Sequence, residues 1–164
     1  MQNTPEPTKV NAIISFTNET PSSVKQDVEL TVSEKNRPDK VVFRQLLKHV
    51  SFPPGKREMM IPVSVSDAKL WDLDTPELYT CNIQIKKGKN TLDRDKKNFG
   101  FRWFSAEGVG TDAVLRLNGR RVMLRSAISW GYFPVTGLIA TPEMAEKQVL
   151  TAKKLGLNML LSLI

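Results

Sequence analysis

Cysteine and histidine are almost missing from this chain: Cys81 and His49 are the only ones among 164 residues. A lone cysteine excludes an intrachain disulfide and a thiolate zinc site. A lone histidine excludes a His-rich metal site and leaves one imidazole for acid–base chemistry. No run of 18 apolar residues occurs, so no membrane-spanning helix is expected. The first ten residues, MQNTPEPTKV, lack the apolar stretch of a secretion leader. If the parent protein is exported, its signal is expected upstream. Helical periodicity is also missing over most of the length and appears only after Thr141.

Charge is present in excess of one sign. Lysine and arginine number 24 against 17 acidic residues, a net charge of +7. The cations are scattered, apart from Lys86, Lys87 and Lys89 around Gly88 and the sign-alternating run Asp93, Arg94, Asp95, Lys96, Lys97. No zinc-finger spacing, aromatic RNA-binding motif or basic recognition helix accompanies them. The excess therefore reads as solvated surface, and no nucleic-acid partner is expected.

What the sequence does contain is alternation. Residues 1–9 are polar, with Pro5 and Pro7, and read as an extended linker. Val10, Ala12, Ile14 and Phe16 share one face of a strand, with Asn11, Ser15 and Thr17 on the other. Val28, Leu30 and Val32 mark a second strand, residues 41–47 a third and 59–65 a fourth. Tyr79, Cys81, Ile83 and Ile85 mark a fifth. Phe99, Phe101 and Trp103 alternate with Gly100 and Arg102 in a last one, over 99–104. Turn clusters fall between them: 18–23, 35–39, Pro53–Pro54–Gly55 and a tip at Gly88. Short strands, frequent turns and no helix imply a β-sandwich of the immunoglobulin type over 10–106.

Beyond Gly108 and Gly110 the pattern changes. Asn118–Gly119 lies between Leu115–Arg116–Leu117 and Val122–Met123–Leu124. This dipeptide between apolar runs is a strong hairpin signal, because a type I′ turn needs positive φ at both central residues. Thr141, Pro142 and Glu143 then read as cap, first position and dipole-complementing acid of a helix. Ala145, Val149 and Ala152 form its apolar face, and Gly156 its end. Residues 157–164 are an apolar run, read as a buried strand. Strand, helix and strand make a βαβ unit with parallel pairing.

Four motifs in this order resemble those of glycoside hydrolase family 2, the β-galactosidases, β-glucuronidases and β-mannosidases. They are Leu70–Trp71 with Pro76, Leu78 and Tyr79; Phe99–Gly100–Phe101–Arg102; Leu117–Asn118–Gly119–Arg120 with Leu124–Arg125; and Leu155–Gly156–Leu157–Asn158. The resemblance covers residues 10–158. It implies a mainly β fold: an immunoglobulin-like sandwich over 10–106, then residues 111–164 as the opening βαβ piece of a (β/α)8 barrel. It also implies a parent enzyme that hydrolyses O-glycosyl bonds of β-linked sugars by a retaining mechanism. Such enzymes use two carboxyl groups ~5–5.5 Å apart. In the family both are glutamates on later barrel strands, beyond residue 164. A whole barrel needs ~250 residues, and 54 follow Gly110. No catalytic residue, metal or cofactor is therefore expected in this chain, and the chain alone is expected to be inactive.

Departures from the family bear on the sugar site. Many members carry glycine at the position of Ser126, and an Asn-[Arg/Lys]-His series where Ile128, Ser129 and Trp130 stand. The family histidine lines the sugar site, so Trp130 is the candidate substrate contact, by stacking instead of hydrogen bonding. At Leu161 the family often has an arginine. The resemblance implies a carbohydrate substrate and the remaining barrel as partners. No membrane partner is expected from the apolar pattern, and the compartment is left open, a periplasmic or secreted parent being one reading. An apolar end such as Met159–Leu160–Leu161 is also a self-association hazard, which points to dimerisation. The alternative reading is a stand-alone immunoglobulin-like module that binds carbohydrate or protein. Trp71 reads as core packing, and Asp72, Asp74 and Glu77 as turn residues rather than a calcium site.

Overall fold

The structure, a computed structural model, describes residues 1–4, 6–129, 137 and 141–162. They divide into two compact units, Met1–Arg120 and Arg121–Ile164.

The first unit is the expected sandwich. β1 (Gln2–Asn3), β2 (Lys9–Asn18) and β5 (Gly55–Ser64) form one sheet in the order β1-β2-β5. β3 (Val24–Glu34), β4 (Arg37–Phe52), β6 (Tyr79–Lys87) and β7 (Asn90–Phe99) form the other, in the order β4-β3-β6-β7. All these pairings are antiparallel. The expected alternation is what fills the core. Val10 and Ala12 face inward from β2, Val28, Leu30 and Val32 from β3, and Ile61 and Val63 from β5. Tyr79 and Cys81 complete it from β6, with Phe99 and Phe101. Burial pushes the Cys81 thiol up to about 11, so it packs as a small hydrophobe.

Two features depart from the sequence expectation. Residues 99–104 do not form one strand. Phe99 ends β7, Phe101 makes an isolated bridge to Leu70, and Phe104 opens β8 (Phe104–Glu107). The strand ahead of Phe99 was hidden because β7 is exposed at every position before it. Its outer face carries Arg94, Lys96 and Asn98, and its inner face carries Asp93, Asp95 and Lys97 opposite Ile85, Ile83 and Cys81. Inward-facing charge on an edge strand discourages pairing with another chain, at the cost of any apolar period. The polar start is likewise more than extended chain, since Gln2 and Asn3 pair with Asn11 and Val10.

β4 is bulged where it passes Asp27. The register steps from Gln26–Val50 to Val28–Leu47, and His49 takes φ = 57°. The Asp27 carboxylate accepts the His49 amide at 2.8 Å, which satisfies the donor that the bulge takes out of the ladder. On the outer face of the same sheet Glu29 accepts a hydrogen bond from Lys86, with Arg44 at 3.5 Å. The Lys86 hydrogen bond holds the Glu29 carboxyl below the usual range, against the effect of its partial burial, with Arg44 adding to it.

β8 pairs antiparallel with β9 (Val114–Leu117), and β10 (Arg120–Arg121) lies on the other side of β9. In the second unit β11 (Ser126–Ser129) and β12 (Met159–Ser162) pair in parallel, from Ser126–Met159 to Ser129–Ser162. The connection between them includes α1 (Pro142–Lys154). The βαβ unit is therefore present. Thr141 is its N-cap, accepting the Met144 amide at 3.3 Å, and Lys153 and Lys154 occupy the last turn. Among the described residues no helix is long and apolar enough to cross a membrane.

Two outcomes are expected. His49→Gly should leave stability unchanged or raise it by up to about 1 kcal/mol in urea unfolding, and His49→Val should lower it by about 1–2 kcal/mol, since a left-handed backbone penalises a β-branched side chain. The Glu29 carboxylate stabilises the fold above its unfolded pKa and stops doing so as pH falls through the folded one. Between about pH 5 and pH 3, Glu29→Gln should lose less stability than the unaltered chain.

Candidate functional site: the junction at one end of the sandwich

Three motifs separated in sequence meet in the first unit. The first is Leu70–Trp71, in the connection between β5 and β6. Leu70 bridges to Phe101, and the Trp71 amide donates to the Phe101 carbonyl at 2.8 Å. Trp71 also bridges to Pro76. Tyr79 is buried, and its hydroxyl accepts the Lys69 amide at 2.8 Å, as a buried phenol requires. Its ring meets Phe101 edge-on at 5.0 Å, and Phe101 meets Phe99 at 5.1 Å. The Leu-Trp…Pro-x-Leu-Tyr pattern thus anchors the crossover on the aromatic end of the core.

The second motif is Phe99–Gly100–Phe101–Arg102. Phe99 and Phe101 face the core, and Gly100 faces Trp71. A Cβ at Gly100 would sit 2.7 Å from the Trp71 Cβ and 3.0 Å from its ring, closer than real side chains come. The glycine is there for close approach, not for its φ. The Arg102 guanidinium lies 4.5 Å from the centroid of the Trp71 ring, a cation–π contact.

The third is Asn118–Gly119. Their φ angles, 51° and 78°, are those of a type I′ turn. Asn118 does more than turn the chain. Its amide donates to the Trp103 carbonyl at 2.7 Å, and its Oδ1 accepts the Trp103 amide at 3.0 Å. Its Nδ2 donates to the Trp71 carbonyl at 2.9 Å. One side chain therefore ties the hairpin to the first motif and to Trp103, the residue that follows the second. Arg116 supports it, donating to Glu107 at 2.7 Å and to the Gly119 carbonyl at 3.1 Å.

The fourth motif does the same within the second unit. Asn158 Oδ1 accepts the Arg125 amide at 2.8 Å, and its Nδ2 donates to the Met123 carbonyl at 2.9 Å. Arg125 Nε donates back to the Gly156 carbonyl at 2.7 Å. The entry of β11 and the entry of β12 are thereby clamped together.

These arrangements position backbone. They hold amide–carbonyl pairs, aromatic edges, the guanidinium groups of Arg102, Arg116 and Arg125, and the Glu107 carboxylate paired with Arg116. Glu143 is an ionised helix-start residue: hydrogen bonds from its own amide and from Thr141 hold its carboxyl below the usual range, which suits a dipole partner and not a proton donor. Trp130, the candidate sugar contact, and its neighbour Tyr132 lie outside the described residues. The roles of Asn118 and Asn158 were hidden from sequence reasoning, which reads Asn-Gly as a turn and Gly-Leu-Asn as a helix end. The available signal was the amide itself, since glycine or aspartate turns the chain as well but does not offer donor and acceptor together.

The comparisons with known proteins agree with this construction. The model for glycosyl hydrolases family 2 matches residues 2–102. A putative beta-glucuronidase of Formosa agariphila is 29% identical over 136 residues, 82% of this chain and 12% of that protein. A beta-galactosidase of Thermoanaerobacterium thermosulfurigenes is 33% identical over 84 residues, 51% of this chain and 11% of that protein. Among solved structures, a family 2 member from Bacteroides cellulosilyticus superposes with a TM-score of 0.82 at 21% identity, over 93% of this chain and 20% of that one. The beta-glucuronidase of Parabacteroides merdae does so with a TM-score of 0.72 at 24% identity, over 97% of this chain and 19% of that one. The fold and the junction define a sandwich of glycoside-hydrolase type. The chain belongs to glycosyl hydrolases family 2, and it spans about a tenth of the length of the curated relatives it matches.

The junction makes a graded prediction. Gly100→Ala should destabilise the first unit by about 1–3 kcal/mol, as overpacking does. Asn118→Gly keeps the turn but strands the Trp71 carbonyl and the Trp103 amide, and should cost about 1–3 kcal/mol. Urea unfolding followed by tryptophan fluorescence measures both. An Asn118→Gly variant as stable as the parent would show that the turn alone matters.

Proposed function

We propose that this chain is a non-catalytic portion of a longer family 2 glycoside hydrolase, in which residues 10–106 buttress a barrel whose first βαβ unit is residues 111–164. The observation that carries this reading is the order of connections. The sandwich closes on Asn118, the hairpin it anchors leads directly to β11, and β11 and β12 pair in parallel. A stand-alone binding module has no use for such a unit. Parallel strands need cover on both faces, and Ile128, Leu160 and Leu161 remain exposed in this chain. The rest of the barrel is the partner proposed for them. In its absence the same residues favour self-association.

The parent enzyme, on this reading, hydrolyses β-linked glycosides with retention, using two glutamates that lie beyond residue 164. The names of the relatives favour a glucuronide or a galactoside over other sugars. Trp130 follows β11 directly, and strand ends are where barrel enzymes build their sites. It is proposed to stack on a sugar ring.

Hydrolysis of a nitrophenyl glycoside panel by the 164-residue chain and by the longer gene product, in parallel, tests the reading. Turnover is expected only in the longer protein. In that protein Trp130→Ala should raise KM several-fold with a smaller change in kcat, because stacking binds ground state and transition state alike. Turnover by the short chain would overturn the proposal.

A further inference from the structure

The sandwich is open along one side. Among the described residues β1 pairs with β2 at Val10 and Asn11, and from Ala12 to Asn18 no strand lies on the edge of β2 away from β5. A groove of 780 Å³ runs along this edge, between β2 and the stretch of β7 from Leu92 to Lys97. Its floor is core that the fold has not finished covering: Ile14, Phe16, Ile83 and Ile85 are only partly buried, where their neighbours Ala12 and Cys81 are closed off. Every second β2 residue here directs its amide and carbonyl into this open side, as antiparallel geometry requires. An apolar floor beside a row of unpaired backbone groups is the complement of an extended strand.

Direction and register are set by the two residues already in place. β1 runs antiparallel to β2, with Gln2 opposite Asn11 and Asn3 opposite Val10. Met1 is therefore opposite Ala12, packs against the core and stands at one end of the groove. Continued backwards, the same register places successive preceding residues opposite Ile13, Ile14, Ser15 and Phe16. Ile14 and Phe16 face inward, so the second and fourth residues ahead of Met1 would face the groove. The unpaired stretch of β2 is about 20 Å long at ~3.4 Å per residue, enough for six residues. Asp93, Asp95 and Lys97 line the β7 rim and stay wet, so the incoming side chains rest on Ile14, Phe16, Ile83 and Ile85.

We propose that this groove is the seat of about six residues of polypeptide leading into Met1 in the longer protein, which prolong β1 along β2 and close the sandwich. The proposal rests on the reading of the chain as part of a longer protein, but not on that protein's being a glycosidase. It makes a sequence prediction: the second and fourth residues ahead of Met1 are apolar and the first and third polar.

Reading the gene upstream of Met1 is the first test. Polar residues at both inward positions, or a reading frame that starts at Met1, would overturn the proposal. Hydrogen exchange is the second. In the longer gene product alternate β2 amides between residues 12 and 18 should exchange at least about tenfold more slowly than in the 164-residue chain. A proline pair at the second and third residues ahead of Met1 should return them to the faster rate, because one of two consecutive prolines must turn its ring toward β2, where no ladder can form and the carbonyls that accept the β2 amides are displaced. Equal exchange in the longer and shorter proteins sinks the idea. So does protection in the short chain that fades on dilution, which would give the groove to a second copy. Glycoside turnover, measured on the same preparations, reports on the enzymatic reading separately: protection without turnover keeps the strand and removes the glycosidase, and turnover without protection does the reverse.

Discussion

The carbonyl and amide of Trp71 are the point on which the first unit turns. The amide is bound by Phe101 and the carbonyl by Asn118, so the backbone of one residue joins the crossover, the end of the second sheet and the hairpin. Its side chain demands glycine at position 100 and receives the Arg102 guanidinium over its ring. None of these groups could be changed in isolation without leaving a buried donor or acceptor unpaired or forcing two backbones apart. Three motifs that look independent in the sequence are one set of contacts.

The rest of the sandwich is arranged around that end. Tyr79, Phe99 and Phe101 fill the layer below Trp71, and the aliphatic residues of β2, β3 and β5 continue the core away from it. The sheets are closed by different means along their length. β4 is bent by the bulge at His49, β7 is defended by charge on both faces, and among the described residues β2 has no strand on its outer edge beyond its short partner. The excess of positive charge is distributed over these outer surfaces, in part neutralised by pairs such as Lys86 and Glu29.

Much of this was legible in the residues. Val10, Ala12, Val28, Leu30, Val32, Tyr79 and Cys81 alternate in the sequence and are buried in the structure, because a period of two survives wherever one face meets the core. Asn118–Gly119 and Thr141–Pro142 also took the conformations their chemistry demands. β7 was not legible, since a strand wet on both faces has no apolar period. Nor was the break after Phe99, because Phe101 and Trp103 keep the alternation of a strand while Gly100 and Arg102 are committed to Trp71. The junction was readable as a set of motifs only through its resemblance to a family. Long-range hydrogen bonds such as Asn118 to Trp71 leave no trace in local spacing.

Every partner of the Asn118 amide side chain, Trp71 and Trp103, precedes it in the chain. During synthesis from the N-terminus the lock therefore finds its keyhole already made. The sandwich can finish and seal against its own hairpin before a single residue of β11 has left the ribosome, and the apolar strands that follow are then threaded from a fixed anchor rather than from a loose end. A chain built this way separates its two folding problems in time: the sandwich comes first, and the parallel pair of β11 and β12 begins from solid ground.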